Sequence, residues 1–244
     1  MTPRIAVERL ASPEAVAERG AAIFCEAAAA AARRGRFRVA LAGGTTPSLL
    51  HRRLASSPWV DLVVWRTTHI YFGDERCVPE CSPDRNDMAV RETLLSVAPV
   101  PPENVHRIEA TAPDGAERYE RLLIESFAVP AGEVPRFDLV FLGIGDDGHT
   151  ASLFPGDAAL ESRRLVVRVS GAPKPPPERI TMTLRLFAHA RLVVFLATGA
   201  GKARAVAKAV AGDPSLPAGR VAPLEGQVVW LLDAAAASGL GEVP

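Results

Sequence analysis

The sequence predicts an α/β protein with a mostly parallel sheet and helices on both faces. Three observations lead there. Short apolar runs suited to buried strands recur along the 244 residues, segments of helical character separate nearly all of them, and glycine-rich turns follow several of the strands.

Residues 13–34 are rich in alanine and read as a helix, and 36–41 (Arg-Phe-Arg-Val-Ala-Leu) as the first strand. Gly43-Gly44-Thr45-Thr46-Pro47 then turns the chain. Pro47 suits a first helical turn and Thr46 its cap, so a helix runs to about Ala55. Residues 68–72 form a second strand ending at Gly73-Asp74-Glu75-Arg76, and 86–97 a helix after a turn carrying Pro83 and Asp84. Pro99, Pro101 and Pro102 break the chain ahead of a helix over 114–127. The mostly apolar run 137–142 is a buried strand, and 165–169 is another. Residues 173–177 (Pro-Lys-Pro-Pro-Pro) are a stiff segment unable to join a sheet interior. An extended pattern resumes over 179–183, 192–197 is a strongly apolar strand, 202–211 a helix and 228–232 the last strand. With no internal repeat and no long polar linker, residues 1–244 read as one domain built on a Rossmann-like sheet.

Lys and Arg number 28, as do Asp and Glu, and no long basic block occurs. That balance speaks against nucleic acid or an anionic membrane as partner. Residues 1–19 lack the apolar stretch of a signal peptide and nowhere do eighteen apolar residues run together, so a cytoplasmic protein is expected. Cys25, Cys77 and Cys81 give no disulfide framework, and Cys77 and Cys81 lack two further ligands at zinc spacing, so no metal is expected.

Residues 143–156 read Gly-Ile-Gly-Asp-Asp-Gly-His-Thr-Ala-Ser-Leu-Phe-Pro-Gly directly after a predicted strand. The G-x-G-x-x-G spacing raises a dinucleotide site, but Asp146 and Asp147 put negative charge where a pyrophosphate would sit. No acid lies between Ser162 and Pro177 to take a ribose. The nicotinamide reading is therefore rejected and no cofactor is expected. The glycines, including Gly145, allow a tight turn whose N–H groups face a ligand. His149 is suited to take a proton from water, with a carboxylate to orient its ring. Asp147 is the candidate, Asp146 or a more distant acid the alternatives.

Gly43, Gly44, Thr45 and Thr46 lie between a strand and a helix, where free N–H groups, two hydroxyls and the helix dipole suit one phosphate. The lysine and spacing of a Walker loop are missing, which speaks against a nucleoside triphosphate. Lys202 opens another helix beyond a strand end and is placed to add charge to the same phosphate. Arg179 and Lys174 flank the proline-rich turn, where fixed backbone holds basic groups at a rim. Asp74 and Arg76 end a strand with both charge signs, and an arginine there suits a developing oxyanion.

Taken together, the Gly43–Pro47 turn, Gly73-Asp74-Glu75-Arg76-Cys77-Val78-Pro79, the 143–156 loop, Pro173-Lys174-Pro175-Pro176 with Arg179-Ile180-Thr181, and Thr198-Gly199 with Gly201-Lys202-Ala203 resemble the 6-phosphogluconolactonase family, within the glucosamine/galactosamine-6-phosphate isomerase-like group. The resemblance runs from near the N-terminus to beyond residue 200. It implies hydrolysis of 6-phospho-D-glucono-1,5-lactone to 6-phospho-D-gluconate, the second step of the oxidative pentose phosphate pathway. A sugar-phosphate lactone is then the small-molecule partner, and a monomer or weak homodimer is expected. Glucosamine-6-phosphate deaminases share the Gly-Gly turn and an Asp-Gly-His loop, but theirs typically continues His-Ile-Ala-Phe-Asn-Glu-Pro. Here Thr150-Ala151-Ser152-Leu153-Phe154-Pro155 follows without a glutamate, and Arg76 stands where the deaminase usually has tyrosine. A deaminase-like isomerase is the first alternative and a non-catalytic sugar-phosphate sensor the second.

For an ester the chemistry places His149 as general base on water, Arg76 with loop N–H groups at the developing oxyanion, and protonated His149 as the acid that returns a proton to the ring oxygen. The phosphate then rests on the Gly43–Thr46 turn, with Lys202 and Arg179 supplying charge. No covalent intermediate is required, and Ser152 has no evident base of its own.

Overall fold

The computed structural model describes residues 4–130 and 132–241. Strand β1 (Arg4–Leu10) leads into helix α1 (Pro13–Ala32), capped by the Ser12 hydroxyl, which accepts from the Ala15 N–H. Strand β2 (Phe37–Leu41), helix α2 (Thr45–Leu54) and the short helix α3 (Trp59–Leu62) follow. Strand β3 (Thr68–Phe72) runs through Gly73 into β4 (Asp74–Arg76). Next come α4 (Asn86–Val90), β5 (Val105–His106), α5 (Gly115–Phe127) and β6 (Leu139–Gly143). Strands β7 (Val166–Val169) and β8 (Arg179–Met182) flank the proline-rich stretch. Helix α6 (Leu184–Phe187), β9 (Leu192–Ala197), α7 (Ala203–Val210) and β10 (Gln227–Asp233) complete the order.

Seven strands form one sheet in the order β1-β10-β9-β6-β2-β3-β5, with every pair parallel. Successive residues of β6, β9 and β10 are buried, as a sheet covered on both faces requires. Strand β2 shows both covers. Its Phe37 meets Phe24 of α1 edge-on at 5.1 Å between ring centroids, and the next residue, Arg38, lies over Phe127 of α5 at 4.5 Å. Helices α1 and α2 approach at Gly20, where an added Cβ would fall 3.1 Å from Leu50.

The remaining strands make a second, antiparallel sheet in the order β4-β8-β7. Gly73 joins the two sheets: its N–H bonds to the Leu41 carbonyl of β2, and its own carbonyl accepts from Met182 of β8. The proline-rich stretch spans the β7–β8 connection, which needs no ladder hydrogen bonds from it.

Four features differ from the expectation. Strand β1 lies outside the expected elements because Arg4, Glu8 and Arg9 interrupt its apolar pattern; it is an edge strand paired to β10 alone. Strand β5 has two residues, too few for a periodic signal. Residues 86–97 do not form one α-helix. Helix α4 gives way to a π-turn over Arg91–Leu95, where the Thr93 hydroxyl takes the Ala89 carbonyl at 2.6 Å and Ser96 N–H reaches back to Arg91. Finally, Thr46 is not a cap. Gly44, at φ 104°, ends the turn, and no side chain caps α2.

Among the described residues no helix is long and apolar enough to cross a membrane.

His51 of α2 is fully buried, and neither ring nitrogen has a partner among the described residues. Burial, helped by Arg52, pushes it down to about 3, and burial with His69 and Arg38 pushes His106 to about 4. Both bind a proton in the unfolded chain at higher pH than in the fold. Stability is therefore present above the ordinary histidine value of 6.5 and lost as pH falls toward the folded values. For His51 the slope is about 1.4 kcal/mol per pH unit inside that window. His51→Leu is expected to flatten the fall of Tm between pH 6.5 and 4 without lowering Tm at pH 7.5; an unchanged slope in thermal melts contradicts this account.

Candidate active site

The chain runs from β2 outward to β3 and β5, then returns on the other side of β2 with β6, β9 and β10. The strand order thus reverses between β2 and β6. In an open parallel sheet that is where two loops diverge and leave a crevice at the carboxyl ends of the strands. A cleft of about 250 Å³ lies there, walled by the turns that follow β2, β6 and β9 and by β4.

The turn after β6 is closed by its own backbone: Gly145 N–H bonds to the His149 carbonyl at 2.8 Å and Gly148 N–H to the Gly145 carbonyl at 3.1 Å. The Thr150 hydroxyl ties it to the Gly143 carbonyl at 2.9 Å. This brings His149 Nδ1 to 2.5 Å from Asp147 Oδ1, which also accepts the His149 N–H at 3.2 Å. An added Cβ on Gly145 would fall 2.0 Å from His149 Nδ1 and 2.3 Å from Asp147 Oδ1. The pair exists because position 145 carries no side chain. Burial holds His149 below the ordinary histidine value, while the Asp147 bond and charge pull it partway back. Burial disfavours the Asp147 carboxylate, but the His149 contacts outweigh it and keep it below the usual range. The resting pair is thus a carboxylate and a neutral imidazole whose Nδ1–H is engaged, leaving Nε2 as the basic nitrogen. Asp146 instead pairs with Lys174.

The turn after β2 supplies the opposite wall. Because no side chain caps α2, its first N–H groups, at Thr45 and Thr46, face the cleft without a side-chain partner, as a helix start that can take an anion does. The Thr46 hydroxyl lies 2.7 Å from that of Thr198, joining this turn to the one after β9 that carries Lys202. Asp233, at the end of β10, holds the latter by accepting the Gly199 N–H at 3.0 and 3.1 Å.

Strand β4 completes the cleft. Antiparallel pairing sets Arg76 opposite Arg179, so two guanidinium groups come from one register pair. Arg76 donates to the Asp84 carbonyl, and Arg179 to the carbonyls of Lys174, Pro175 and Pro176 and, at 3.4 Å, to the Ser152 hydroxyl. Arg179 also lies 5.7 Å from the centre of the Phe154 ring, which contacts the His149 ring at 4.7 Å. Asp74 has both oxygens occupied: Ser152 donates to Oδ2 at 2.6 Å and Asn86 to Oδ1 at 3.1 Å. Behind them Glu75, fully buried, accepts the backbone N–H groups of Arg76, Asn86 and Asp87. Burial pushes its carboxyl up to about 7 against those three donors.

Of the residues singled out in the sequence, Gly43, Gly44, Thr45, Thr46, Asp74, Arg76, His149, Arg179 and Lys202 all line the cleft. Asp147 stands behind His149. Gly145, expected to face the ligand, is outside the lining and serves by leaving room for the His149–Asp147 pair. Arg179, expected beside the phosphate turn, makes its contacts with Ser152, Phe154 and the proline-rich connection instead, because β8 pairs with β4. Sequence reasoning missed Asn86, Glu75 and Asp233. Each acts across the fold through groups that no local motif reveals.

The profile of the family described as glucosamine-6-phosphate isomerases/6-phosphogluconolactonase matches residues 11–230. The chain is 43% identical over 211 residues to the 6-phosphogluconolactonase of Rattus norvegicus, covering 84% of this chain and 80% of that one. It is 39% identical over 250 residues to the 6-phosphogluconolactonase of Streptomyces coelicolor, covering 98% and 95%. The solved structure of 6-phosphogluconolactonase from Trypanosoma brucei superposes with a TM-score of 0.83 at 30% identity, covering 98% of this chain and all of that one.

Since Asp147 raises the His149 pKa, Asp147→Asn is expected to move the His149 titration, followed by NMR of the ring, to lower pH. A titration left in place or moved upward removes the Asp147 contact from the account.

Proposed function

The chain belongs to the glucosamine-6-phosphate isomerase/6-phosphogluconolactonase family, and we propose that it is the lactonase, an enzyme that hydrolyses 6-phospho-D-glucono-1,5-lactone to 6-phospho-D-gluconate without a cofactor. One observation carries the choice over ring-opening deamination. Among the described residues lining the cleft Asp74 is the sole carboxylate, and both its oxygens are held by Asn86 and Ser152. With Lys202 assigned to the phosphate, His149 is left as the group that moves protons. Ester hydrolysis needs no more.

In this reading His149 Nε2 takes a proton from a water that attacks C1, and Asp147 stabilises the imidazolium that forms. Negative charge grows on the carbonyl oxygen, where Arg76 and Arg179 stand as donors already fixed by backbone carbonyls. The tetrahedral intermediate collapses by breaking the bond from C1 to the ring oxygen, which takes the proton from His149. Ser152, fully buried and donating to Asp74, is not the nucleophile. The phosphate sits on the Thr45 and Thr46 N–H groups with Lys202, and this remote anchor holds the carbonyl at His149. Arg76, Arg179 and Lys202 form no ion pair among the described residues, which supports a ligand with negative charge at both ends of its reaction path. The proposal extends to a single catalytic domain over residues 1–244 that works as a monomer or weak homodimer in the cytoplasm.

His149→Ala is expected to lower kcat for the lactone by about 10² to 10⁴, measured against spontaneous hydrolysis, with KM little changed. Lys202→Ala is expected to raise KM about tenfold or more. An unaltered kcat in the histidine variant overturns the base assignment, and no lactone turnover by the unmodified protein overturns the function.

The base works neutral and its pKa lies below the ordinary histidine value, so kcat/KM should hold as pH falls through 6.5 and decline only below it. A decline centred above 6.5 contradicts the assignment.

A further inference from the structure

Asn86 is a polar residue of the cleft lining to which the proposed reaction gives no part. It is the first residue of α4 and 2% exposed. Its N–H donates to Glu75 Oε1 at 2.7 Å, and its Nδ2 donates to the Asp74 carbonyl at 2.9 Å and to Asp74 Oδ1 at 3.1 Å. Its Oδ1 has no hydrogen-bond partner among the described residues. Such a buried orphan acceptor has a cost, and it calls for a reason.

The reason lies at Gly43. A Cβ built there would fall 1.8 Å from Asn86 Oδ1 and 2.5 Å from its Cγ. The amide therefore occupies the space of the missing side chain, its oxygen against the Gly43 Cα, a weak contact in place of a full hydrogen bond. Since that oxygen is shut off by Gly43, it is closed to substrate as well. Asn86 thus touches both halves of the cleft: the phosphate turn through Gly43, and the reacting end through Asp74, whose other oxygen holds the Ser152 hydroxyl that Arg179 also contacts.

We propose that Asn86 is a positioning residue for lactone hydrolysis, clamping the phosphate turn and the Asp74–Ser152–Arg179 chain into one rigid frame so that a substrate anchored at Gly43–Thr46 presents its carbonyl to the arginines. The proposal rests on the lactonase reading of the cleft. It also explains the residue type. Aspartate keeps the shape but sets a carboxylate against the Asp74 carboxylate and carbonyl, and leucine has no donor. Alanine leaves Asp74 short of a donor but gives back the space at Gly43.

The test combines four variants, Asn86→Asp, Asn86→Ala, Gly43→Ala and the double Gly43→Ala/Asn86→Ala, each checked by thermal melting. Lactone kcat and KM are measured together with inhibition by inorganic phosphate. Asn86→Asp and Asn86→Ala are expected to lower kcat about tenfold or more, with KM and the phosphate inhibition constant within about threefold of the parent. Gly43→Ala is expected to weaken phosphate about tenfold or more, because its Cβ and Asn86 cannot share the space. The double variant is expected to recover phosphate binding while keeping the low kcat of Asn86→Ala. Parental kcat in both Asn86 variants, or a double variant that binds phosphate as poorly as Gly43→Ala, overturns the proposal. So does a parallel loss of kcat and phosphate binding in both Asn86 variants that tracks only a lowered Tm. If Asn86→Asp does not fold, Asn86→Ala and the double variant decide alone. Absence of lactone turnover in the parent sinks the functional reading instead, and the phosphate arm still reports on the Asn86–Gly43 contact.

Discussion

The return of β6 to the side of β2 opposite β3 is the constraint on which the rest of the molecule depends. Parallel pairing of β2 with β6, Val39 beside Leu139 and Ala40 beside Val140, brings two glycine turns about a hundred residues apart to one crevice. One turn ends in an uncapped helix and the other in a histidine with its carboxylate. Had β6 added beyond β5, the Gly43–Thr46 turn and His149 would stand well apart along the sheet. The apolar strands that enforce this order are buried on both faces, so the geometry of the crevice is held by the same burial that stabilises the fold.

Carboxylates facing inward do much of the holding around that crevice, each in a way suited to its burial. Glu75 meets three backbone N–H groups and joins β4 to the start of α4. Asp233 meets the Gly199 and Ala236 N–H groups and joins β10 to the Lys202 turn. Asp74 is held by an amide and a hydroxyl. A buried carboxylate is tolerated when its oxygens are satisfied, and once satisfied it is a rigid tether. The three cations of the cleft are arranged otherwise. Arg76 and Arg179 are anchored by carbonyls, which orient a guanidinium without cancelling its charge, and Lys202 stands at the mouth of a turn. Anchored by neutral groups, the positive charge in the cleft is not cancelled by a neighbouring carboxylate.

Much of this was legible in the residues themselves. The strands at 37–41, 68–72, 139–143 and 192–197 announce themselves because a doubly covered strand must be apolar at consecutive positions. The glycines at 43, 44, 145 and 148, and the His149 among acids, mark the two turns because tight backbone and proton-handling groups have few other uses together. The edge strand β1 and the two-residue β5 were not legible, since an edge strand tolerates charge and a very short one has no period.

By itself, the sequence determined the chemistry on offer: a histidine with neighbouring carboxylates, a Gly-Gly-Thr-Thr turn between a strand and a helix, two arginines and a lysine, and no acid after His149 in its loop. Only the tertiary structure decided how those groups divide the work. It gave Gly145 the part of leaving room for His149 and Asp147, paired Arg179 with Arg76 across β8 and β4, occupied Asp74 with Asn86 and Ser152, and revealed Glu75 and Asp233 as tethers. The physical reason is one of range. Propensity, periodicity and turn chemistry act over a few residues and are written locally. Whether a buried polar atom has a partner depends on residues brought close by strand order and register, and that is settled only when the whole sheet has closed.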